Sequence, residues 1–205
     1  NGNALPVMSA HNADYGSLYF NDYENLNTGP AHSGKYSTRT RSGRPLIYDY
    51  PIPAGSLLSS RGGIFRVWIK EFQHNTVELD MKVEVNGSRY DAKKVAKTGE
   101  WTLYESEISK EAFQTSDMTL TLNFNNPAGG YIFVDDTRLE PKEATASCVV
   151  YDPKTLRPLV EFDDRHFGTY YEYNQEGKLI RKMIETEKGL KTVVETQYNV
   201  AKTKK

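Results

Sequence analysis

The chain has 205 residues, 38% hydrophobic and 12% aromatic, with 26 basic against 27 acidic side chains and a formal charge of −1. That is enough apolar material for one sizeable core and a smaller appendage, and the interleaved charges create no field that would gather nucleic acid or anionic lipid. Apolar runs such as 64–69 and 131–134 fall far short of the roughly 20 residues that span a bilayer, and a single cysteine, Cys148, excludes an internal disulfide and any multi-thiolate metal site.

The first ten residues carry neither a basic start nor an apolar run of signal-peptide length, so the sequence reads as a piece of a longer precursor. Short runs rich in Val, Ile, Thr, Tyr and Phe follow, separated by Gly, Asn, Pro and Asp. They predict strands at 18–23, 35–41, 46–51, 63–72, 76–85, 101–108, 118–124 and 131–139, a count that fits an all-β, two-sheet jelly-roll sandwich. Alternation assigns the faces. Phe65, Val67 and Ile69 face the core, and Arg66, Trp68 and Lys70 face the other side. From Val77 to Val85 the odd positions are apolar and the even ones charged, as in a sheet wet on one face. Asn86-Gly87 predicts a tight hairpin that needs positive φ. Ser109 is the candidate N-cap of a short helical turn within 109–116.

The apolar pattern breaks at 140–147, which divides the chain into a sandwich, residues 1–142, and a β tail, residues 143–205. In the tail Tyr151-Asp152 recurs as Tyr173-Asn174, each followed by a turn and then by Leu. Two copies do not make a stable stack by themselves, so the tail is expected to lean on the sandwich or on more protein. Segments 169–173 and 191–197 alternate strongly enough to pair with a neighbouring chain if left open. The Lys-rich end, 201–205, reads as a flexible terminus.

Four segments carry a resemblance. Ala31-His32-Ser33-Gly34-Lys35-Tyr36-Ser37, Val67-Trp68-Ile69-Lys70, Gly99-Glu100-Trp101 and Tyr131-Ile132-Phe133-Val134-Asp135-Asp136-Thr137-Arg138-Leu139 resemble, in order and spacing, the galactose-binding-like jelly rolls of carbohydrate-binding modules. The tail, from Tyr151-Asp152-Pro153 through Gly177-Lys178-Leu179, resembles tyrosine-aspartate (YD) repeats of the rearrangement-hotspot (RHS) type. It departs from them in Thr155-Leu156-Arg157, where such repeats carry Gly-Arg-Leu, and in Asn174, so the copies look like degenerate terminal ones rather than part of a toxin-enclosing shell. Together the two parts resemble the carboxy-terminal region of large secreted surface proteins of Bacteroidota. This resemblance implies an extracellular location on the bacterial cell surface. It also implies a structural calcium held by Asp22, Glu24, Asp135 and Asp136, since calcium takes six to eight hard oxygen ligands; the bland alternative is that Asp135-Asp136 merely ends a strand.

Sugar binding asks for an exposed aromatic platform beside polar groups. Trp68, with Arg66 and Lys70 on its face, is the first candidate; Tyr48, Tyr50, Tyr90 and Tyr104 are weaker, and Trp101 reads as core. Each of these more often simply covers a sheet face. No nucleophile elbow, phosphate loop, His-Glu-x-x-His or paired-cysteine spacing appears, and His11, His32, His74 and His166 stand isolated along the sequence, so no catalysis is expected. Arg39, Arg41 and Arg44 form a basic strip that would suit an acidic glycan or partner but more often makes a solvated strand face. Three readings of function follow: a non-catalytic structural and interaction end module of an adhesin-like surface protein, a carboxy-terminal targeting domain for type IX secretion machinery in the outer membrane, and a carbohydrate-binding module for a surface glycan.

Overall fold

A computed structural model describes residues 5–26, 29–41, 43–53, 55–71, 79–114, 116–125 and 130–198. Expectations for Phe72, His74, residues 76–78 and the Lys-rich end fall outside the described residues. In chain order the strands are β1 (Met8–His11), β2 (Tyr19–Asn21), β3 (Thr38–Arg41), β4 (Leu46–Pro51), β5 (Gly63–Glu71), β6 (Asp80–Val85), β7 (Ser88–Asp91), β8 (Lys93–Thr98) and β9 (Trp101–Ile108). They continue with β10 (Asp117–Asn125), β11 (Tyr131–Pro141), β12 (Thr145–Tyr151), β13 (Pro158–Phe162), β14 (Gly168–Tyr173), β15 (Leu179–Thr186) and β16 (Gly189–Glu195). One short helix, α1 (Leu57–Arg61), interrupts them; Ser56 caps it by accepting from Leu58 N, and Gly62 ends it. The helical turn expected after Ser109 is a 3₁₀ turn at Lys110–Phe113. Among the described residues no helix is long and apolar enough to cross a membrane.

The architecture is all-β, in three layers of antiparallel sheet. An outer sheet runs β4-β10-β6-β7, a middle sheet β2-β11-β5-β9-β8 with β3 also on β11, and a third sheet β1-β12-β13-β14-β15-β16. The outer sheet follows directly from alternation. Met118, Leu120, Leu122 and Phe124 of β10 and Met81, Val83 and Val85 of β6 point inward, all at most 3% exposed, while Thr119, Thr121, Lys82 and Glu84 stay outside. These residues meet Phe65, Val67 and Ile69 of β5 and Ile132 and Val134 of β11 in one continuous apolar core. The hairpin between β6 and β7 turns through Asn86 and Gly87, at φ 48° and 83°, the conformation that this pair of residue types tolerates best.

The other face of the middle sheet is not wet. Trp68, Trp101, Leu103 and Phe133 pack there against Cys148, Val150, Val160 and Phe162 of the third sheet, forming a second core. Strands β5 and β11 are therefore sandwiched on both sides. The third sheet also draws in β1, whose Met8 to His11 pair with Cys148 to Thr145.

The tail is more regular than two copies imply. Tyr151-Asp152, Phe162-Asp163 and Tyr173-Asn174 recur at intervals of eleven residues, and each places an aromatic at a strand end and an Asx in the following loop. In the second and third copies the closure is the same: Asp163 N donates to Phe167 O and Asn174 N to Lys178 O, while Phe167 N and Lys178 N donate back to the Asx Oδ1. The first loop is one residue longer, with Asp152 N donating to Arg157 O and Asp152 Oδ1 accepting from Lys154 N and Thr155 N. Asx side chains favour such loops because they bond the backbone a few residues on.

Candidate functional site

Trp68 lies at the centre of the interface between the middle and third sheets, and the expectation that it stands on an open face is corrected here. It is 0% exposed, its Nε1–H donates to His166 O at 3.1 Å, and its ring stacks on His32 at 4.1 Å between centroids. The alternation that put Trp68 opposite the first core is right; what it does not contain is the third sheet laid over that side. Arg66 and Lys70 share the face but are engaged, Arg66 with Glu105 and Glu140 and Lys70 with Glu100. Tyr48, Tyr50 and Tyr90 pack against the first core and Tyr104 is buried within it, with Tyr48 hydroxyl-bonded to Tyr23 and Tyr90 to Ser109. None of these tyrosines presents an open ring platform.

Beside Trp68 a polar network is buried between the layers. In a regular strand Asp135 and Asp136 would point to opposite faces. The register of β11 against β5 slips between Asp135 and Arg138, and Asp136 takes φ 47°, so this bulge turns both carboxylates toward the loop at His32 and Ser33. Asp135 accepts from the backbone N–H of His32 and Ser33. Asp136 accepts from Ser33 Oγ at 2.6 Å and bonds His32 Nδ1 at 2.8 Å. The other ring nitrogen, Nε2, meets Glu185 of β15 at 2.7 Å. His32 thus bridges the middle sheet to the third through two carboxylates.

Burial works to lower the His32 pKa, but its bonds to Asp136 and Glu185 outweigh that and leave it raised. Desolvation pushes the Asp135 carboxyl well up, reinforced by Asp136, and raises Asp136 too against the pull of His32. His166 behaves oppositely: burial, and next Arg138, hold its pKa well below the usual histidine range. Its Nε2 lies 2.5 Å from the Asp136 carbonyl oxygen, which can only accept, so the neutral ring carries its proton on Nε2. Arg138, fully buried, donates to the carbonyls of Ala146, Asp163 and Asp164 and pairs with Glu140. One middle-sheet guanidinium thereby holds three backbone carbonyls of the residues that build the third layer.

The four acids expected to hold calcium do not form a cage as arranged. Asp22 Oδ1 accepts from Glu24 N, Glu24 Oε1 accepts from Lys35 N and Tyr36 N, and every carboxylate oxygen of Asp135 and Asp136 accepts a hydrogen bond. Gly34 makes room for Glu24, since a Cβ there would stand 2.4 Å from Glu24 Oε1. Only Glu24 Oε2 among these oxygens is buried without a hydrogen bond, and among the described residues no group of three or more His, Cys, Asp or Glu side chains is placed to hold one ion.

No family model and no curated protein matches the sequence. Among solved structures, TmCBM61 in complex with beta-1,4-galactotriose matches at 20% identity over 66% of this chain and 88% of that one, with a TM-score of 0.36. So loose an overlap adds nothing to the sheets already described, and the all-β class stands on the strands themselves.

Glu185, and the bridging role of His32, escaped sequence reasoning. An isolated histidine carries no sign of its partners, an acidic residue near a strand end stands out by no motif, and only the layering brings them together across 153 positions. Elsewhere, among the described residues, an open concavity of about 410 Å³ lies where buried Ile52 and Phe113 meet Ser56, Ser59, Ser60 and Gln114 beside α1, and another of about 440 Å³ is lined by Lys97, Gly99, Glu187 and Lys188.

Proposed function

We propose that this chain is a non-catalytic structural and interaction module of a larger protein, in which the tail works as a third layer fastened over the sandwich. The observation that carries this reading is the buried His32–Asp136–Glu185 bridge under Trp68. Trp68, His32, Asp136 and Glu185 fasten one layer to the next, and the titratable groups of this network with displaced pKa values, His32, Asp135, Asp136 and His166, are enclosed rather than open to a substrate. Two further proposals, that the parent is an adhesin-like bacterial surface protein or, alternatively, that this chain is a carboxy-terminal targeting domain for type IX secretion machinery, rest on the resemblance of the sequence alone.

The test is limited proteolysis and hydrogen exchange on the whole 205-residue chain. A fastened layer predicts protection of 145–186 close to that of β5 and β11. Exchange of the third sheet within seconds, with the sandwich intact, would refute it.

Carbohydrate binding is the second reading, and the concavity beside α1 supports it, because hydroxyl and amide groups stand there against apolar side chains in the combination that sugars use. A glycan array with Gln114→Ala and Ser59→Ala as controls decides between the two. Binding lost in those variants favours the second reading; silence across the array with a folded chain leaves the structural one.

A further inference from the structure

Several arginines of this molecule are held by carboxylates. Arg66, Arg89, Arg138 and Arg181 each sit on a carboxylate. Arg39 and Arg41 do not: among the described residues no carboxylate lies within ion-pair distance of either, and both side chains are exposed. Two residues apart on β3, they point to the same side, opposite Phe133 and Tyr131 of β11. Both guanidinium carbons stand over the Tyr131 ring, 4.9 Å and 4.7 Å from its centroid, and Arg41 Nη2 donates to the Tyr131 hydroxyl at 2.5 Å.

Two like charges held beside one ring repel each other, and a cation–π contact offsets only part of that at an exposed site. What the pair lacks is an anion. Guanidinium forks match the planar or tetrahedral oxygens of carboxylate and sulfate groups, with two parallel bonds each. The hydrogen bond from Arg41 lowers the pKa of the Tyr131 phenol, but a phenol hydroxyl is a hydrogen-bond acceptor and not a counter-ion; an oxyanion would supply the charge balance. Arg44, the third member of the basic strip, is in the turn that follows, where its N–H bonds Arg41 O and its carbonyl accepts from Thr40 Oγ1. That turn fixes the strand end carrying the pair.

We propose that Arg39, Arg41 and Tyr131 form a recognition site for an oxyanion, the carboxylate or sulfate group of an acidic glycan. The site lies at the β3 edge of the middle sheet and depends neither on the fastened layer nor on the concavity beside α1.

Calorimetric titration of the whole chain tests it, with heparin, polygalacturonate, sodium sulfate, glucuronic acid, polyglutamate and neutral dextran as probes, at low and physiological ionic strength. The expected result is saturable binding of heparin or polygalacturonate, weakened about ten-fold or more in Arg39→Gln/Arg41→Gln, as loss of charge-assisted bonds requires, and less than about two-fold in the control Lys93→Gln/Lys97→Gln on β8. Binding of sulfate or glucuronic acid that disappears in the double arginine variant would also uphold the site and show that it takes the free anion. Unchanged melting of both variants guards against unfolding. No binding by any anionic probe, an equal loss in the lysine control, or polyglutamate bound as tightly as either glycan would overturn the proposal.

Discussion

The two faces of the middle sheet are built from the same strands and hold their neighbours by different means. On one side Phe65, Val67 and Ile69 enter a core of aliphatic and aromatic side chains; on the other Trp68 shares its space with His32, Asp136, Glu185, His166 and Arg138. Apolar burial is non-directional, at roughly 25 cal/mol per Å², so the first core sets compactness without reading register closely. A buried polar network closes in one arrangement only, because every unpaired group in it is costly. The comparison teaches that one interface supplies most of the cohesion and the other decides how the third layer seats.

The largest effect should come from the first core. Phe65→Ala should cost about 3–5 kcal/mol and lower the melting of the whole molecule in one step, measured by denaturant unfolding. A loss below 1 kcal/mol would mean that this core carries little of the stability.

Next comes the bridge. Glu185→Ala removes the acceptor for both His32 Nε2 and Gly168 N, leaving buried donors unpaired, and should cost about 3 kcal/mol. The comparison predicts that the loss appears as faster exchange of 168–186 with the outer sheet unaffected. Equal loosening of all three sheets would erase the distinction between the two interfaces.

The pH dependence separates the two histidines. His32 binds its proton more tightly in the folded chain, so its contribution is present below about pH 6.5, the unfolded value, and is lost as pH rises through its raised folded value. Asp135 and Asp136, also raised, lose their contribution in the same direction, beginning above about 3.9. His166 is depressed, so its contribution is present above about 6.5 and lost as pH falls through its folded value. In urea midpoints against pH, His32→Gln should flatten the limb above about 6.5 and His166→Gln the limb just below it. An unaltered alkaline limb in His32→Gln would show that the bridge holds no proton.

The smallest effect is expected from calcium. With the carboxylates of Asp135 and Asp136 committed to the His32–Ser33 loop, adding calcium or a chelator should leave the melting temperature within about 1 °C, since stabilisation follows from binding the folded form alone. A rise of several degrees would mean that these acids exchange their hydrogen bonds for an ion.

Much of the first core was legible from two-residue alternation. The strands expected at 46–51 and 101–108 match β4 and β9, and Phe65, Val67 and Ile69 are inside as read. Strands β7 and β8 escaped because most of their side chains, such as Arg89, Lys93, Lys94 and Lys97, are exposed and polar, and the inward side chains Tyr90 and Ala96 are too few to show a period. Of the interlayer site the sequence showed less. Alternation says which residues share a face but not what covers it, and the bulge at Asp136 breaks the very period from which faces are read. The middle copy of the tail's repeat stayed hidden because Phe162 stands where the others have tyrosine, although the loop chemistry depends on the Asx that follows.

The pairing of β1 with β12 bears on the order in which the molecule can assemble. Ser9 and Ser147, joined by their hydroxyls, are separated by 138 positions, and closing so long a loop is slow compared with forming the local hairpins of the outer sheet or the tail. During synthesis the opening segment waits unpaired until the chain has reached the twelfth strand, and until then the tryptophan side of the central sheet has no cover. Nascent chains of this protein are most exposed to misassociation in that interval, and binding of a chaperone to ribosome-bound intermediates should peak there and fall once residues 145–186 have emerged.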